Sequence, residues 1–395
     1  MVATPAPQPI APVIPIVTTS PAPQTTSGAD TARAIPLLSQ PDTAQPSAAP
    51  EIASTMGAPA VPRATGAPQA TGATRAGIAL ILPTKAPAFA RAAEVTRAGF
   101  IAARNAGKDA VPFTLFETDG SPERARAAYR EAAAQALVVV GPLTRSEVGA
   151  LIGESISVPT LVLNLPEPPA GALGSPAAMP QKMRALALNI EQDAQSAAHA
   201  MYGPERQSAV VVTINSALQK RAAAAFTDAW IRLGGQIGEP VEYSGSLARV
   251  RQGVERAKAD IVFLAADAAN ARLLRPYLGR NNTVIATSQV YSGAPKSEAQ
   301  KFHDMNGIRF IDLPWLHLAD RASLGFAQPD TPLSPDLDRL YALGIDAYRV
   351  ARELVRGQGE FDLDGVTGKL RVLAGSIERE PMQAEFRDGE ASPVR

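Results

Sequence analysis

The chain has 395 residues, with 38 basic and 38 acidic side chains and a formal net charge of zero. That length predicts two or three domains, and the lack of a basic excess disfavours a nucleic-acid-binding surface. Cysteine is absent, which excludes disulfides, thiolate metal sites and cysteine nucleophiles, and no apolar run is long enough to span a bilayer.

The first segment of the chain, residues 1–75, is rich in Pro, Ala, Thr, Ser and Gln and carries few charges. Such a segment buries too little apolar surface to offset its chain entropy, so we predict a disordered linker. Its short apolar stretch at residues 10–17 is interrupted by Pro12 and Pro15, and no secretory signal is recognisable there.

The folded body is predicted to begin near Gly77 and to alternate strands with helices. Apolar runs predict strands at 77–82, 111–117, 137–140 and 158–163, separated by helices at 89–106, 122–134 and 146–155. Ser121 is a candidate N-cap of the second helix, with Pro122 at its first position. Continuous apolar strands between amphipathic helices indicate a parallel sheet covered on both faces.

The same rhythm then restarts, which predicts a second α/β unit. The predicted helices are 189–202, 218–233, 247–257 and 268–278, and the predicted strands are 208–214, 236–243, 260–264 and 283–287. A strand at 307–311, a helix at 335–356 and strands at 368–373 and 382–387 close the chain. The fold class is therefore α/β, with two Rossmann-like lobes after the linker.

The closing part is too small for a domain, so the chain is expected to cross between the lobes more than once. We assign residues 76–188 plus 310–366 to the first lobe and residues 189–309 plus 367–390 to the second. Two lobes joined by several segments are expected to move about hinges near residues 186–189 and 307–315.

Sequence motifs for catalysis, metals or cofactors are missing. There is no glycine-rich dinucleotide or phosphate loop, no H-E-x-x-H and no nucleophile elbow. The three histidines, His199, His303 and His317, are far apart in the sequence, so a zinc site is not expected. We predict no cofactor, no metal and no catalytic residue, and an enzyme is the least favoured class.

Polar residues at the predicted strand ends are the candidate binding groups. Ligands of open parallel sheets bind beyond the carboxyl ends of the strands. In the first lobe Thr84, Thr144 and Ser146 follow such ends, and Tyr291 does so in the second. Two interpretations stay open: these residues contact a small anion in a cleft, or the hydroxyls cap helices and Tyr291 packs in the core. Trp315 is expected to pack where the chain crosses between lobes.

Several motifs resemble a known family. ETDG at 117–120, VVVGPLTRSEV at 138–148 and VPTLVLN at 158–164 resemble the first lobe of type I periplasmic-binding-protein folds. LYALGIDAYRVA at 340–351, DGVTGKLRV at 364–372 and GSIEREPMQAEFRDGE at 375–390 are similar to the closing part of the LppC/LpoA group, the penicillin-binding-protein activators.

This resemblance implies a non-enzymatic lipoprotein of the outer membrane that faces the periplasm. Its partner would be a class A penicillin-binding protein, a peptidoglycan synthase, and peptidoglycan is a further candidate partner. Larger members carry a helical-repeat domain where this chain has residues 1–75. The cysteine that would carry the lipid is not in this sequence, so membrane association would depend on an anchor absent from it.

The runner-up function is a periplasmic solute-binding protein for an amino acid or similar small anion. It would use Thr84, Thr144, Ser146 and Tyr291 in the cleft between the lobes. A DNA-binding repressor of similar fold would need a helix-turn-helix before the first lobe, which residues 1–75 cannot supply.

Overall fold

A computed structural model describes residues 75–167, 179–318 and 320–394 of the chain. The predicted disordered linker, residues 1–75, lies outside the described residues except for Arg75. The described residues belong to one compact unit. None of the helices in these ranges is both long and apolar enough to cross a membrane.

The first sheet contains five parallel strands in the order β2-β1-β3-β4-β5. Its strands are β1 (Ile78–Leu82), β2 (Phe113–Glu117), β3 (Val138–Val140), β4 (Thr160–Val162) and β5 (Met183–Ala185). Every residue of β1, β3 and β4 is buried, as expected for central strands of a parallel sheet covered on both faces. The predicted strands β1 to β4 are confirmed, whereas β5 is not predicted by the sequence pattern.

Three helices connect these strands: α1 (Ala90–Ala106), α2 (Pro122–Gln135) and α3 (Arg145–Ile152). The predicted start of α2 is confirmed, because the Ser121 side chain accepts a hydrogen bond from the Arg124 amide and Pro122 is the first helical residue. Thr144 caps α3 in the same way, accepting from the Glu147 amide. Such caps satisfy amides that the helix itself leaves unpaired.

The second α/β unit begins after β5. Its helices are α4 (Ile190–Met201), α5 (Ala217–Arg232), α6 (Leu247–Ala257) and α7 (Ala268–Leu274). Its strands are β6 (Ser208–Ile214), β7 (Gln236–Ile237), β8 (Val241–Tyr243), β9 (Ile261–Ala265), β10 (Thr283–Ala286) and β11 (Ile308–Asp312). The single strand predicted at 236–243 is two short strands, because Pro240 has no amide to donate to a ladder.

The closing part of the chain contributes to both units. It contains α8 (Pro314–His317), α9 (Pro335–Val355), β12 (Phe361–Asp364), β13 (Lys369–Val372), β14 (Ile377–Glu380), β15 (Met382–Arg387) and β16 (Glu390–Pro393). Strands β15 and β16 join the second sheet, whose order is β16-β15-β11-β10-β9-β6-β7, with β8 also paired to β6. Strands β12 to β14 form a separate antiparallel sheet.

We define the first lobe as the first sheet with α1 to α3 and α9, and the second lobe as the second sheet with α4 to α7. The lobe division given from the sequence stays a prediction, and the lobes as defined here by strand pairing differ from it at two points. Residue 310 lies inside β11, which pairs with β10 and β15, so the second lobe extends to Asp312. Residues 367–390 include β13 and β14 of the third sheet. Hydrogen-bond partners of short strands are not encoded in local hydropathy.

The long helix α9 packs along α1 at an unusually close crossing. A Cβ atom on Gly344 would lie 2.0 Å from the Thr96 carbonyl oxygen, and one on Gly99 would lie 1.9 Å from the Tyr341 carbonyl oxygen. Both glycines therefore allow the two backbones to touch. This contact fixes α9 on the first lobe, although α9 follows β11 of the second lobe in the sequence.

Candidate functional site at the strand ends and lobe crossings

Thr84 lies just after β1 and is engaged within the first lobe. Its hydroxyl donates to Glu117 Oε1 at 2.7 Å, and Lys85 Nζ lies 3.3 Å from the other carboxylate oxygen. The Thr84 hydrogen bond and the Lys85 ammonium lower the pKa of Glu117 below its ordinary value. The Thr84 hydroxyl is thus already used by a neighbouring carboxylate.

Thr144 belongs to a buried polar cluster at the ends of β2 and β3. Its hydroxyl donates to Glu147 Oε2 at 2.8 Å, and Thr118 donates to the other oxygen of the same carboxylate. The Glu147 side chain is fully buried; burial raises its pKa, and the two threonine hydrogen bonds oppose that rise. Ser146 is exposed, with its hydroxyl 3.3 Å from that of Thr144.

Sequence reasoning missed Glu147 and Thr118 as members of this cluster. The signal was present, because Thr144 and Glu147 have the T-x-x-E spacing of a capping box. The direction of the glutamate side chain, toward Thr118 on another segment, depends on the packing of α3 against the sheet.

Tyr291 packs inside the second lobe. Its ring lies 5.9 Å from the Phe310 ring and 4.7 Å from the His317 ring, and the residue is 8% exposed. Burial raises the pKa of the Tyr291 hydroxyl to about 12. Within the described ranges no hydrogen bond joins Tyr291 to the three first-lobe candidates, so the structure groups Thr144 with Ser146 and places Tyr291 apart. The ligand-binding role of all four residues stays a prediction.

A buried ion pair lies where β11 leaves the second sheet. Arg339 of α9 donates from Nε and Nη2 to the two carboxylate oxygens of Asp312, both at 2.9 Å, and from Nη2 to the Ser288 carbonyl oxygen. His317 Nε2 is 2.9 Å from Asp312 Oδ2. Burial disfavours the Asp312 charge, but Arg339 and His317 outweigh it and lower the pKa of Asp312 to about 2.

A second buried carboxylate adjoins this pair. Asp193 of α4 accepts from the Ser288 hydroxyl at 2.7 Å and from Arg379 Nη2 of β14 at 3.2 Å. Burial raises the pKa of Asp193, against the opposing effects of Arg379 and Ser288. Ser288 therefore joins the two ion pairs, because its hydroxyl binds one and its carbonyl oxygen the other.

One ion cluster connects the lobes directly. Arg145 Nη2 of α3 lies 3.6 Å from Glu191 Oε2 of α4, and Arg221 Nε of α5 lies 3.1 Å from Glu191 Oε1. The Arg145 side chain is only 13% exposed. The N-terminus of α3 in the first lobe is thus held close to two helices of the second lobe.

Two cavities are lined by residues other than the four candidates. One, of about 540 Å³, is lined by β8 and α6, and the other, of about 470 Å³, by the segment after Tyr291. In the part of the chain that the structure describes, no group of three His, Asp or Glu side chains is arranged to hold a metal ion.

Most of the chain is similar to proteins of one known family. Residues 66–255 and 244–389 match the family described as "LppC putative lipoprotein". The penicillin-binding protein activator LpoA of Yersinia pseudotuberculosis is 25% identical over 412 residues, covering 82% of this chain and 61% of that protein. The chain spans about half the length of the curated relatives that it matches.

Two solved structures have similar folds. The C-domain of LpoA from Haemophilus influenzae, a regulator of PBP1A, aligns with a TM-score of 0.64 and 22% identity, covering 80% of this chain and 99% of that one. A "putative branched-chain amino acid ABC transporter" from Chromobacterium violaceum aligns with a TM-score of 0.63 and 33% identity, covering 78% and 99%. The predicted two-lobed periplasmic-binding-protein-like fold is confirmed. With the family matched over most of its length, the chain belongs to the LppC family.

Proposed function

We propose that this protein is a non-enzymatic activator of a class A penicillin-binding protein. The observation that carries the proposal is the match to the LppC family, whose similar relatives are named penicillin-binding protein activators. The geometry is compatible with a protein that binds no small ligand at the strand ends. There the hydroxyls of Thr84 and Thr144 already donate hydrogen bonds to Glu117 and Glu147 of the same lobe.

Activation would proceed through surface contact. A regulator shifts an enzyme toward an active state only by binding that state more tightly than the inactive one. The protein therefore needs a surface complementary to the active synthase rather than reactive groups of its own. We place it in the periplasm, at the inner face of the outer membrane, where peptidoglycan is a second candidate contact.

The test is an assay of glycan polymerisation and peptide cross-linking by the cognate class A synthase, with and without the full chain. We expect a faster rate of at least one reaction and direct binding at micromolar concentration. A class A synthase from a distant bacterium is the control and should not respond. Absence of both binding and stimulation would overturn the proposal.

A second function is favoured by the Chromobacterium violaceum structure, named for an amino acid transporter, at 33% identity. It is a solute-binding protein with a small anion at Thr84, Thr144, Ser146 and Tyr291. Against it, the hydroxyls of Thr84 and Thr144 already donate to Glu117 and Glu147 within the first lobe.

Thermal unfolding with each amino acid separates the two functions. A ligand at 100 times its dissociation constant stabilises the folded state by about 2.7 kcal/mol, which is readily detected. A solute receptor requires one amino acid to produce such a shift, and Thr144→Val should reduce it. No shift with any amino acid would contradict an amino acid receptor, and the same measurement with small organic anions tests the rest of this function.

A further inference from the structure

The chain crosses between the lobes in three places in its described part. The first crossing joins β5 to α4, the second joins β11 to α9, and the third enters β15 from the small third sheet. Two of these crossings coincide with the hinge positions expected from the sequence, near residues 186–189 and 307–315. Any opening of the lobes must bend the chain at these crossings.

Each crossing contributes a charged group to one buried cluster. Asp193 follows the first crossing within one helical turn, Asp312 and Arg339 flank the second, and Arg379 precedes the third. The residues Asp193, Asp312 and Arg339 are 7%, 1% and 7% exposed, and the Arg379 side chain is 3% exposed. Two carboxylates and two guanidinium groups thus lie together beside the three crossings.

The bonds of this cluster run between segments that a hinge motion would displace. Arg339 belongs to α9 of the first lobe, yet it binds Asp312 and the Ser288 carbonyl oxygen of the second. Arg379 of the third sheet binds Asp193 of the second lobe. Separating such groups would leave a buried charge without its partner, which is strongly unfavourable.

A further contact lies on the strand-end side of the lobes. Arg145 of the first lobe reaches Glu191 of the second, and Arg221 supports Glu191 from α5. This contact is distant in sequence from the second and third crossings. Because Glu191 and Asp193 lie in the first turn of α4, this contact and the buried cluster both restrain the same end of that helix.

We propose that the hinge of this fold is locked: the buried cluster of Asp193, Asp312, Arg339 and Arg379, together with the Arg145–Glu191 contact, holds the lobes in one fixed arrangement. The protein then presents a fixed surface instead of opening and closing as a clamshell.

The absence of cysteine makes the test direct, because two introduced cysteines can be spin-labelled uniquely. Ala88 and Ala217 are exposed and follow strand ends of the first and second lobe, so Ala88→Cys and Ala217→Cys report the distance across the lobes. Double electron–electron resonance on the full chain should give one narrow distance peak. A broad or double distribution in this parent protein would overturn the lock.

Two substitutions should release it. Arg145→Glu places a negative charge beside Glu191, and Asp193→Asn weakens the bonds to Arg379 and Ser288. Each single variant should add a second population at longer label-to-label distance. In the double variant this longer-distance population should be dominant. Arg130→Glu is the matched control, because Arg130 bridges Glu154 inside the first lobe. An unchanged distance peak in the folded double variant would overturn the proposal. If Asp193→Asn prevents folding, the distance distribution of Arg145→Glu alone provides the test.

Discussion

Two buried carboxylates of this protein have opposite electrostatic environments. Asp312 faces a guanidinium and an imidazole, which together overcome its desolvation and lower its pKa to about 2. Glu147 has only threonine hydroxyls, so burial prevails and its pKa is raised. At Asp312 the paired charges outweigh burial, whereas at Glu147 the hydroxyl hydrogen bonds do not.

At Glu147 we expect a pH-dependent effect of Glu147→Gln. Burial raises the pKa of Glu147 above its ordinary value of 4.5, so the contribution of this group to stability falls as the pH rises from 4.5 through the raised pKa. Glutamine keeps the shape and does not ionise. The stability of Glu147→Gln relative to the parent, measured by urea unfolding, should therefore increase as the pH rises above 4.5.

The control for this experiment is Glu131→Gln, the same chemical change on the exposed face of α2. Its effect on stability should vary less with pH than that of Glu147→Gln. If both variants show the same pH dependence, burial of Glu147 does not control the effect.

Replacing Arg339 with methionine should leave the buried Asp312 carboxylate without its guanidinium partner. Removal of one partner from a buried ion pair typically costs about 3–5 kcal/mol of folding free energy. Because the pKa of Asp312 is lowered, its pairing stabilises the protein at neutral pH and is lost as the pH falls from 3.8 toward about 2. Urea unfolding at neutral pH measures the loss.

The comparison variant is Arg371→Met on the third sheet. The Arg371 side chain is 64% exposed and lies 3.4 Å from Asp362. Surface pairs of this kind contribute less than about 1 kcal/mol. Equal losses for the two arginines would contradict the role given to the buried pair.

The sequence predicts part of this chemistry at the residue scale. Thr144 is recognisable as a helix cap because a cap depends on residues adjacent in the chain. Asp312 and Arg339 are not recognisable as partners, because they are 27 positions apart and no sequence pattern brings them together. The sequence does not decide whether Tyr291 faces a cleft or packs in the core. The stacking of its ring on Phe310 supports the packing interpretation.

At the element scale, the crossing of α1 and α9 depends on glycine. Gly344→Ala would place a Cβ atom 2.0 Å from the Thr96 carbonyl oxygen, so the helices must move apart. Alanine is favoured over glycine by about 1 kcal/mol in a helix, but forcing extra volume into a packed contact costs about 1–3 kcal/mol. We expect a net loss of stability, measured by urea unfolding.

Gly149→Ala provides the matched control, because Gly149 also lies inside a helix, α3, but a Cβ atom there would have nothing within 4 Å. This variant should be stabilised by up to about 1 kcal/mol. If Gly344→Ala were also stabilised, the prediction would be wrong, and the α1–α9 contact would be shown to accommodate a methyl group without loss of stability.

The strands show which elements can be predicted from hydropathy. The central strands β1, β3 and β9 are uninterrupted apolar runs, β6 is apolar except for Ser208 and Thr213, and the sequence predicts all four. It misses β5, β12, β14 and β16, because these strands are short and contain charged or exposed residues. Such edge strands form only where a partner strand is already present.

At the scale of the whole molecule, one apolar cluster contains residues of both lobes, including Leu80 of β1 and Phe310 of β11. We therefore expect the described unit to unfold in one cooperative transition. The two tryptophans test this, because Trp230 is buried in the second lobe and Trp315 at the second crossing. Trp230→Phe and Trp315→Phe should give coincident fluorescence and circular-dichroism transitions, whereas separate midpoints would show independently folding lobes.

The entry of the chain into the first lobe has a mechanical consequence. The Ala76 amide donates to the Gln135 carbonyl oxygen at 2.9 Å, and β1, which follows at once, is bonded to β2 on one side and β3 on the other. Tension along β1, transmitted through the polypeptide that precedes it, would load both ladders in shear at once instead of opening bonds one by one. A pull at this point is borne at the base of the sheet, opposite the strand ends that carry Thr84 and Thr144.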